Sequence, residues 1–334
     1  MLCSSVLRKR RGWLLLAPLF LLQGCYYTHV ARGHMDLMNR AEPIDEIVAD
    51  ASTPESLARR LQLVEEARQF SIDVLKLPDN DSYRTYSDIE RDYVAWNIFV
   101  APEFSLTPKR WCYPVSGCVS YQGYFRKAIA QRKGKRWAEK GYDVIIGGVS
   151  AYSTLGAFDD PVISSMMHWD DNRLVGTLFH ELAHQKLYEK SDTEFNESFA
   201  TSVEEFGVIL WLQSRGDDAA VAEYKKAREL RQRLMSLVAE ARSDLADYYA
   251  ETLDDDEKRL LKEHRLDLLQ EQVRATLKSE GREPGSWLAG HLNNARLASI
   301  SLYEGRVPEF RQVLADCDMD IECFYAKAEE LAAR

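Results

Sequence analysis

The pentapeptide His180-Glu181-Leu182-Ala183-His184 constrains this chain more than any other part of it. Two histidines at i and i+4 act together only on a helix, where such positions are neighbours on one face. Leu178-Phe179 and Leu182-Ala183 give that helix an apolar body, so burial is expected. A buried carboxylate between two histidines is costly unless something pairs with it. A divalent cation resolves the conflict. Both imidazoles reach one Zn²⁺ at roughly 2.0–2.1 Å, and Glu181 stands beside it as a general base for a bound water.

A catalytic zinc takes three protein ligands and keeps one position open. The run Phe195-Asn196-Glu197-Ser198-Phe199-Ala200 offers the third. Between His184 and Glu197 there is room for a turn and an antiparallel return helix, and Ser191-Asp192-Thr193-Glu194 reads as a capping box opening it. Glu197 is the expected ligand. Glu204 lies two turns further on nearly the same face, placed to orient His184 from behind. Glu204 and Glu205 are the alternative third ligands. The stretch Gln185 to Lys190 lacks the Gly and third His of the metzincin pattern.

Around this helix pair the sequence reads as a mixed fold. Hydrophobic residues at 46% and charged residues at 29% describe a globular chain, and exclude disorder or multiple membrane spans. The formal net charge of −10, with no dominant basic patch, excludes nucleic acid as the expected partner. Residues 26–80 read mostly as helix, with Thr53 as N-cap and Pro54 at the first helical position, and a short helix is expected from Ser87. Strands are expected over 93–101, 118–125 and 142–149, with a helix over 123–140 between the last two. Gly147-Gly148 suggests a bulge or a close backbone approach. From Leu174 the pattern is helical: 174–187, 192–213, then 217–252 and 254–280 as a solvated hairpin. The expected fold is α+β and helix-rich, a zincin-like core with a small sheet and a long helical C-terminal part. Residues 25–213 form the core and 214–334 pack on it. No obligate protein partner is expected.

Residues 1–24 read as an address. Arg8, Lys9, Arg10 and Arg11 precede an apolar run from Trp13 to Leu22. Ten helical residues rise only about 15 Å, half of a bilayer core, so the run is a signal-peptide core. It ends Leu22-Gln23-Gly24-Cys25, the pattern of a bacterial lipoprotein signal, which makes Cys25 the acylated first residue. Each buried methylene contributes about 0.8 kcal/mol, so several acyl chains anchor stably. Tyr26, rather than Asp, follows Cys25, which by similarity to the sorting rule implies the outer membrane, facing the periplasm. Losing four basic residues makes the body more acidic, and it is expected to stand off the membrane on its tether. In that oxidising compartment Cys112 with Cys118, and Cys317 with Cys323, are expected to form two local disulfides, each contributing about 2–3 kcal/mol.

The run from Gly148 to Gly207 resembles the predicted-aminopeptidase lipoprotein family of Gram-negative bacteria, a gluzincin-like zinc peptidase group. The matching residues are Ser150 to Gly156, Asp160-Pro161, Phe179 to Gln185, Asp192-Thr193 and Phe195 to Ala200. Others lie outside that run: Pro78-Asp79-Asn80, Tyr93 to Asn97, Pro102 to Ser105, Trp111-Cys112 through Cys118, and Leu292 to Ala295. The resemblance implies one zinc per chain and a peptide substrate. Metal-assisted hydrolysis follows, with Glu181 moving the proton. The substrate is expected to lie extended along an edge formed by Val149 to Thr154. Tyr152, Tyr303 and His291 are candidate oxyanion donors, and His168 reads as a surface residue. An aminopeptidase also needs a carboxylate for the free α-amine. The stretch Gly147 to Gly156 has none, which leaves Asp159, Asp160, Glu204 or Glu205. A different class of function is an envelope assembly or chaperone-like lipoprotein with a structural zinc site, which would be closed by a fourth protein ligand.

Overall fold

The computed structural model describes the backbone of residues 17–113, 117–283, 285 and 291–333, and the side chains of these except 17–25, 303 and 304. The basic cluster and the start of the apolar run, residues 13–16, therefore lie outside the described residues, as do the side chains of 17–25 and of Tyr303. The architecture is α+β and helix-rich. In chain order the elements are α1 (Ala17–Met38), β1 (Ala41–Pro43), α2 (Ile44–Ala49), α3 (Glu55–Asp73), β2 (Thr85–Ser87), β3 (Ala95–Pro102), β4 (Trp111–Tyr113), β5 (Gly117–Val119), β6 (Gln122–Tyr124), α4 (Lys127–Ala138), β7 (Tyr142–Val149), β8 (Val162–Ile163), α5 (Asp171–Lys186), α6 (Thr193–Ser214), α7 (Asp218–Ala250), α8 (Asp255–Ser279), α9 (Asn294–Glu304), α10 (Val307–Asp316) and α11 (Ile321–Ala332). Among the described residues no helix is long and apolar enough to cross a membrane.

The sheet that matters for the site has the order β6-β3-β7 and is antiparallel throughout. Alternation along β3 divides its faces. Ile98 and Val100 pack with Ala130 of α4 on one side. Phe99 and Ala101 pack with Ala295 and Leu302 of α9 on the other. The β3–β7 register runs without interruption from Ala95↔Val149 to Pro102↔Tyr142, so Gly147-Gly148 forms no bulge. Gly148 is instead a close approach, because a Cβ there would run into the Tyr93 ring.

Several local expectations are corrected. Residues 85–87 are a strand, not a helix start: Ala41 pairs with Ser87 on one side and Ile163 on the other, contacts too distant in sequence to show in local periodicity. The expected strand 118–125 divides into β5, which pairs with β4, and β6, which pairs with β3. The N-cap of α3 is Pro54, and the Thr53 hydroxyl donates to the Ile47 carbonyl at 2.7 Å instead. At α6 the cap is Asp192, accepting from Phe195 N at 2.9 Å, while Ser191 faces elsewhere, so no reciprocal box forms. The hairpin of α7 and α8 has its own apolar seam, including Leu230, Leu234, Val238, Leu269 and Val273, and its reciprocal capping box sits at Asp254 and Glu257. Both expected disulfides, Cys112–Cys118 and Cys317–Cys323, are present.

The core centres on α5 and α6. Phe179, Phe195, Phe199, Phe310 and Phe324 are fully buried there, joining these helices to α10 and α11. Two glycines let α5 and α6 cross closely. A Cβ at Gly176 would lie 3.1 Å from Glu204 Cγ and from Val208 Cγ2, and one at Gly207 would lie 2.7 Å from Leu75 Cδ1 and Phe179 Cδ2. Enlarging either residue must push the helices apart. Gly207→Leu is expected to lower the unfolding free energy by about 1–3 kcal/mol, measured as a shift in the urea midpoint at constant m-value.

Candidate metal centre

Both walls of the site come from the close-packed pair. α5 opens with Asp170 as N-cap, accepting from Arg173 N at 2.9 Å. Its C-terminal end is held by Gln185, whose amide accepts from Asn80 at 2.7 Å and donates to Ser82 Oγ at 3.2 Å. This is the task of the Pro78-Asp79-Asn80-Asp81 turn, itself gripped by the buried Arg68 guanidinium. Asn196 pins the connection to α6, donating to Glu189 O at 2.7 Å and accepting from Glu189 N at 2.6 Å. The disulfide hairpin of β4 and β5 clamps the same connection: Cys118 N donates to Ser191 Oγ at 3.0 Å, and Arg110 donates to the Ser191 carbonyl. Ser191 therefore serves the hairpin rather than the helix.

His180, His184 and Glu197 converge, with one ligating atom from each lying within 4.8 Å of the others. Glu197 Oε2 is 3.3 Å from His180 Nε2 and 3.7 Å from His184 Nε2. The two imidazoles stand nearly perpendicular, with centroids 4.8 Å apart. Ligands at 2.0–2.1 Å on a tetrahedral ion are separated by about 3.4 Å. The two Glu197 distances bracket that value, and two imidazoles with one carboxylate are a donor set suited to a transition-series dication. The residues therefore fit a metal ion.

Glu204 is the partner of His180, not of His184. Its Oε2 is 3.1 Å from His180 Nδ1. The helices run antiparallel, so the later acid of α6 meets the earlier histidine of α5. His184 Nδ1 is buried with no hydrogen-bond partner. Glu205 points away, pairing with Arg228 and, at 2.8 Å, with Arg311, so it is not a ligand.

The metal-free site is strongly polarised. Burial alone would lower the His180 pKa, but its bonds to Glu197 and Glu204 hold it well above 6.5. Burial would raise Glu197, but its bonds to His180 and His184 outweigh that and hold it at about 2. Glu204 is likewise lowered by His180 against the cost of burial. Glu181 is the exception. Burial raises it, the two histidines offset this in part, and the charges of Glu197 and Glu204 add to the rise.

His180, Glu181, His184 and Glu197 open onto one cavity of about 410 Å³. Val149, Ala151, Tyr152, Ser153 and Leu155 form one wall, which places the expected 149–154 segment there. That segment is tied down from behind: Ser165 Oγ donates to Ser150 O at 2.7 Å, and Thr154 N donates to Asp160 Oδ2 at 2.6 Å. Asp160 is raised to about 6 by burial, partly offset by Thr154, and supports this loop rather than lining the cavity. Tyr152 reaches the cavity, with its hydroxyl 3.3 Å from His34 Nδ1. His291 and His168 are exposed. Contributors not expected from the sequence include Tyr121, whose phenol is raised by burial and by the charge of Glu197, Asn97 of β3, and Tyr26, Tyr27 and Val30 of α1. None has a local signature, since each arrives through a contact distant in sequence. Among the described residues, the acids in the cavity wall are Glu181 and Glu197.

Two outcomes follow. Glu204→Ala removes the carboxylate that orients His180 and is expected to weaken Zn²⁺ binding about 10–100-fold, read by competition with a chromogenic chelator. A metal ion must also displace the proton held on His180. Affinity is therefore expected to rise with pH through 6.5 and beyond, with proton release on binding, measured by calorimetry in buffers of differing ionisation enthalpy.

Neither a curated protein nor a solved structure matches the chain. A family model does, across residues 25–334, described as "Putative aminopeptidase". The chain belongs to that family.

Proposed function

We propose that this protein is a zinc-dependent peptidase, acting as an aminopeptidase, with a zincin-like core and an acylated Cys25 that anchors it in the outer membrane facing the periplasm. The observation that carries the catalytic part is the disposition of four side chains. His180, His184 and Glu197 converge as ligands, while Glu181, in the same cavity wall, stays outside the ligand cluster. A structural zinc site would be closed by four protein ligands, and the cluster among the described residues has three.

When bound, zinc supplies Lewis acidity, bringing the pKa of a coordinated water to about 7. Glu181, in the same cavity wall, would accept the proton from a water attacking the scissile carbonyl. As the C–N bond breaks, Glu181 returns that proton to the amine nitrogen, so the acid–base balance closes within one turnover. Glu204 keeps the His180 ring in place. The 149–154 segment offers an extended edge for the peptide; the wall phenols Tyr121 and Tyr188 lie close enough to feel the Glu197 charge, and Tyr152 lines the same wall, which makes these the candidate oxyanion donors.

Glu181→Gln is expected to reduce kcat by about 10²–10⁴-fold with zinc content unchanged, measured on free-amine peptides and their N-acetylated twins. Turnover confined to the free-amine set supports the aminopeptidase reading. Turnover of the acetylated set makes the enzyme an endopeptidase, and full activity in the variant removes Glu181 from the role of base.

A further inference from the structure

We infer that α1 lies flat on the lipid bilayer and holds the metal-site cavity against the membrane surface, so that the peptides it meets are those presented there. This rests on the acylation of Cys25 proposed above.

The first observation is that no slack separates the acylation site from the folded body. Tyr26 is the next residue. Its ring stacks on Tyr113 with centroids 5.8 Å apart and meets Tyr124 edge-on at 5.6 Å. Its hydroxyl donates to Gly123 O at 3.2 Å. Consecutive Cα atoms are about 3.8 Å apart, so an acyl chain on Cys25 brings lipid to the edge of the fold. Tyr26, Tyr27 and Val30 line the same cavity as His180 and Glu181. The tethered, stood-off body expected from the sequence does not fit this geometry. Net negative charge favours separation, but that repulsion is screened over about 10 Å, whereas the anchor is covalent.

The second observation is what α1 shows to solvent. Tyr27, Ala31 and Met35, spaced i, i+4 and i+8, are all exposed, Tyr27 at 42% and Met35 at 59%. Phe158, 55% exposed, lies against the same helix, its ring 4.5 Å from that of His34. Phe158 closes the loop that carries Leu155 into the cavity wall. Aromatic and apolar side chains along one face of an acylated helix match a helix lying in the interface plane. Thr28, Arg32 and Asp36 form a polar row exposed beside them, from which Arg32 can extend to the headgroups.

A position remote from the cavity provides a control. β3 runs from Ala95, in the cavity wall, to Pro102, and the adjoining Glu103 pairs with Arg259 of α8 at 2.6 Å. That separation is about 25 Å at a strand rise near 3.3 Å. Leu260 on α8 is 68% exposed.

The test uses the acylated full chain with Ala157→Cys or Leu260→Cys carrying an environment-sensitive fluorophore. The protein is bound to phosphatidylethanolamine–phosphatidylglycerol vesicles containing spin-labelled lipid. Quenching at 157 is expected to exceed that at 260 severalfold, and to disappear when a long Gly/Ser spacer is inserted between Cys25 and Tyr26. Equal quenching at both sites, with the protein still floating with the vesicles, overturns the inference and leaves the anchor standing. Failure to float overturns both, while hydrolysis by a soluble form beginning at Tyr26 reports separately on the peptidase.

Discussion

The structure depends on how closely α5 and α6 approach. Two histidines one turn apart define half of a metal site, and the acids that complete it must come from a second helix crossing at short range. Gly176 and Gly207 remove the side chains that would hold the pair apart, and Phe179, Phe195 and Phe199 fill the space beside the crossing. The crossing then delivers Glu197 between the two imidazoles and Glu204 behind one of them. The remainder of the core, from α3 to α10 and α11, packs around that pair.

Electrostatics in the metal-free protein follows from the same geometry. Burying two carboxylates would be prohibitive if they were unpaired. His180 and His184 favour the charged form of Glu197, and His180 with the nearby Arg228 and Arg231 favours that of Glu204, in a cluster that could hold a metal ion. Glu181 lacks such a dedicated partner, and its pKa moves the opposite way from those of Glu197 and Glu204. One helix pair thus sets Glu197 against both imidazoles and leaves Glu181 outside that cluster.

Much of this was legible in the sequence where a short-range rule applies. The i, i+4 histidines, the return helix bearing Glu197, the strand over 142–149 and both disulfides need only local spacing. The errors arise where the answer depends on distant contacts. Glu204 was matched to His184 by spacing along its own helix, although antiparallel packing pairs it with His180. Ser87 belongs to a strand because Ala41 and Ile163 flank it. Ser191 looked like a cap, yet its hydroxyl is taken by Cys118 N of the disulfide hairpin. The place of α1 in the cavity wall has no sequence signature at all.

The sheet has one row whose consequence lies outside stability. Gly123, Asn97 and Gly147 stand opposite one another on β6, β3 and β7, so Asn97 carries the row's one side chain beyond the backbone. Asn97 and Val149 belong both to the metal-site cavity and to a second cavity reaching Phe99, Met235 and Ile300. The sheet surface along this row is left low by its two glycines. A Cβ at Gly147 would meet nothing within 4 Å. A screen for folding or thermal resistance would therefore score a small residue there as silent, although it takes up space in the second cavity.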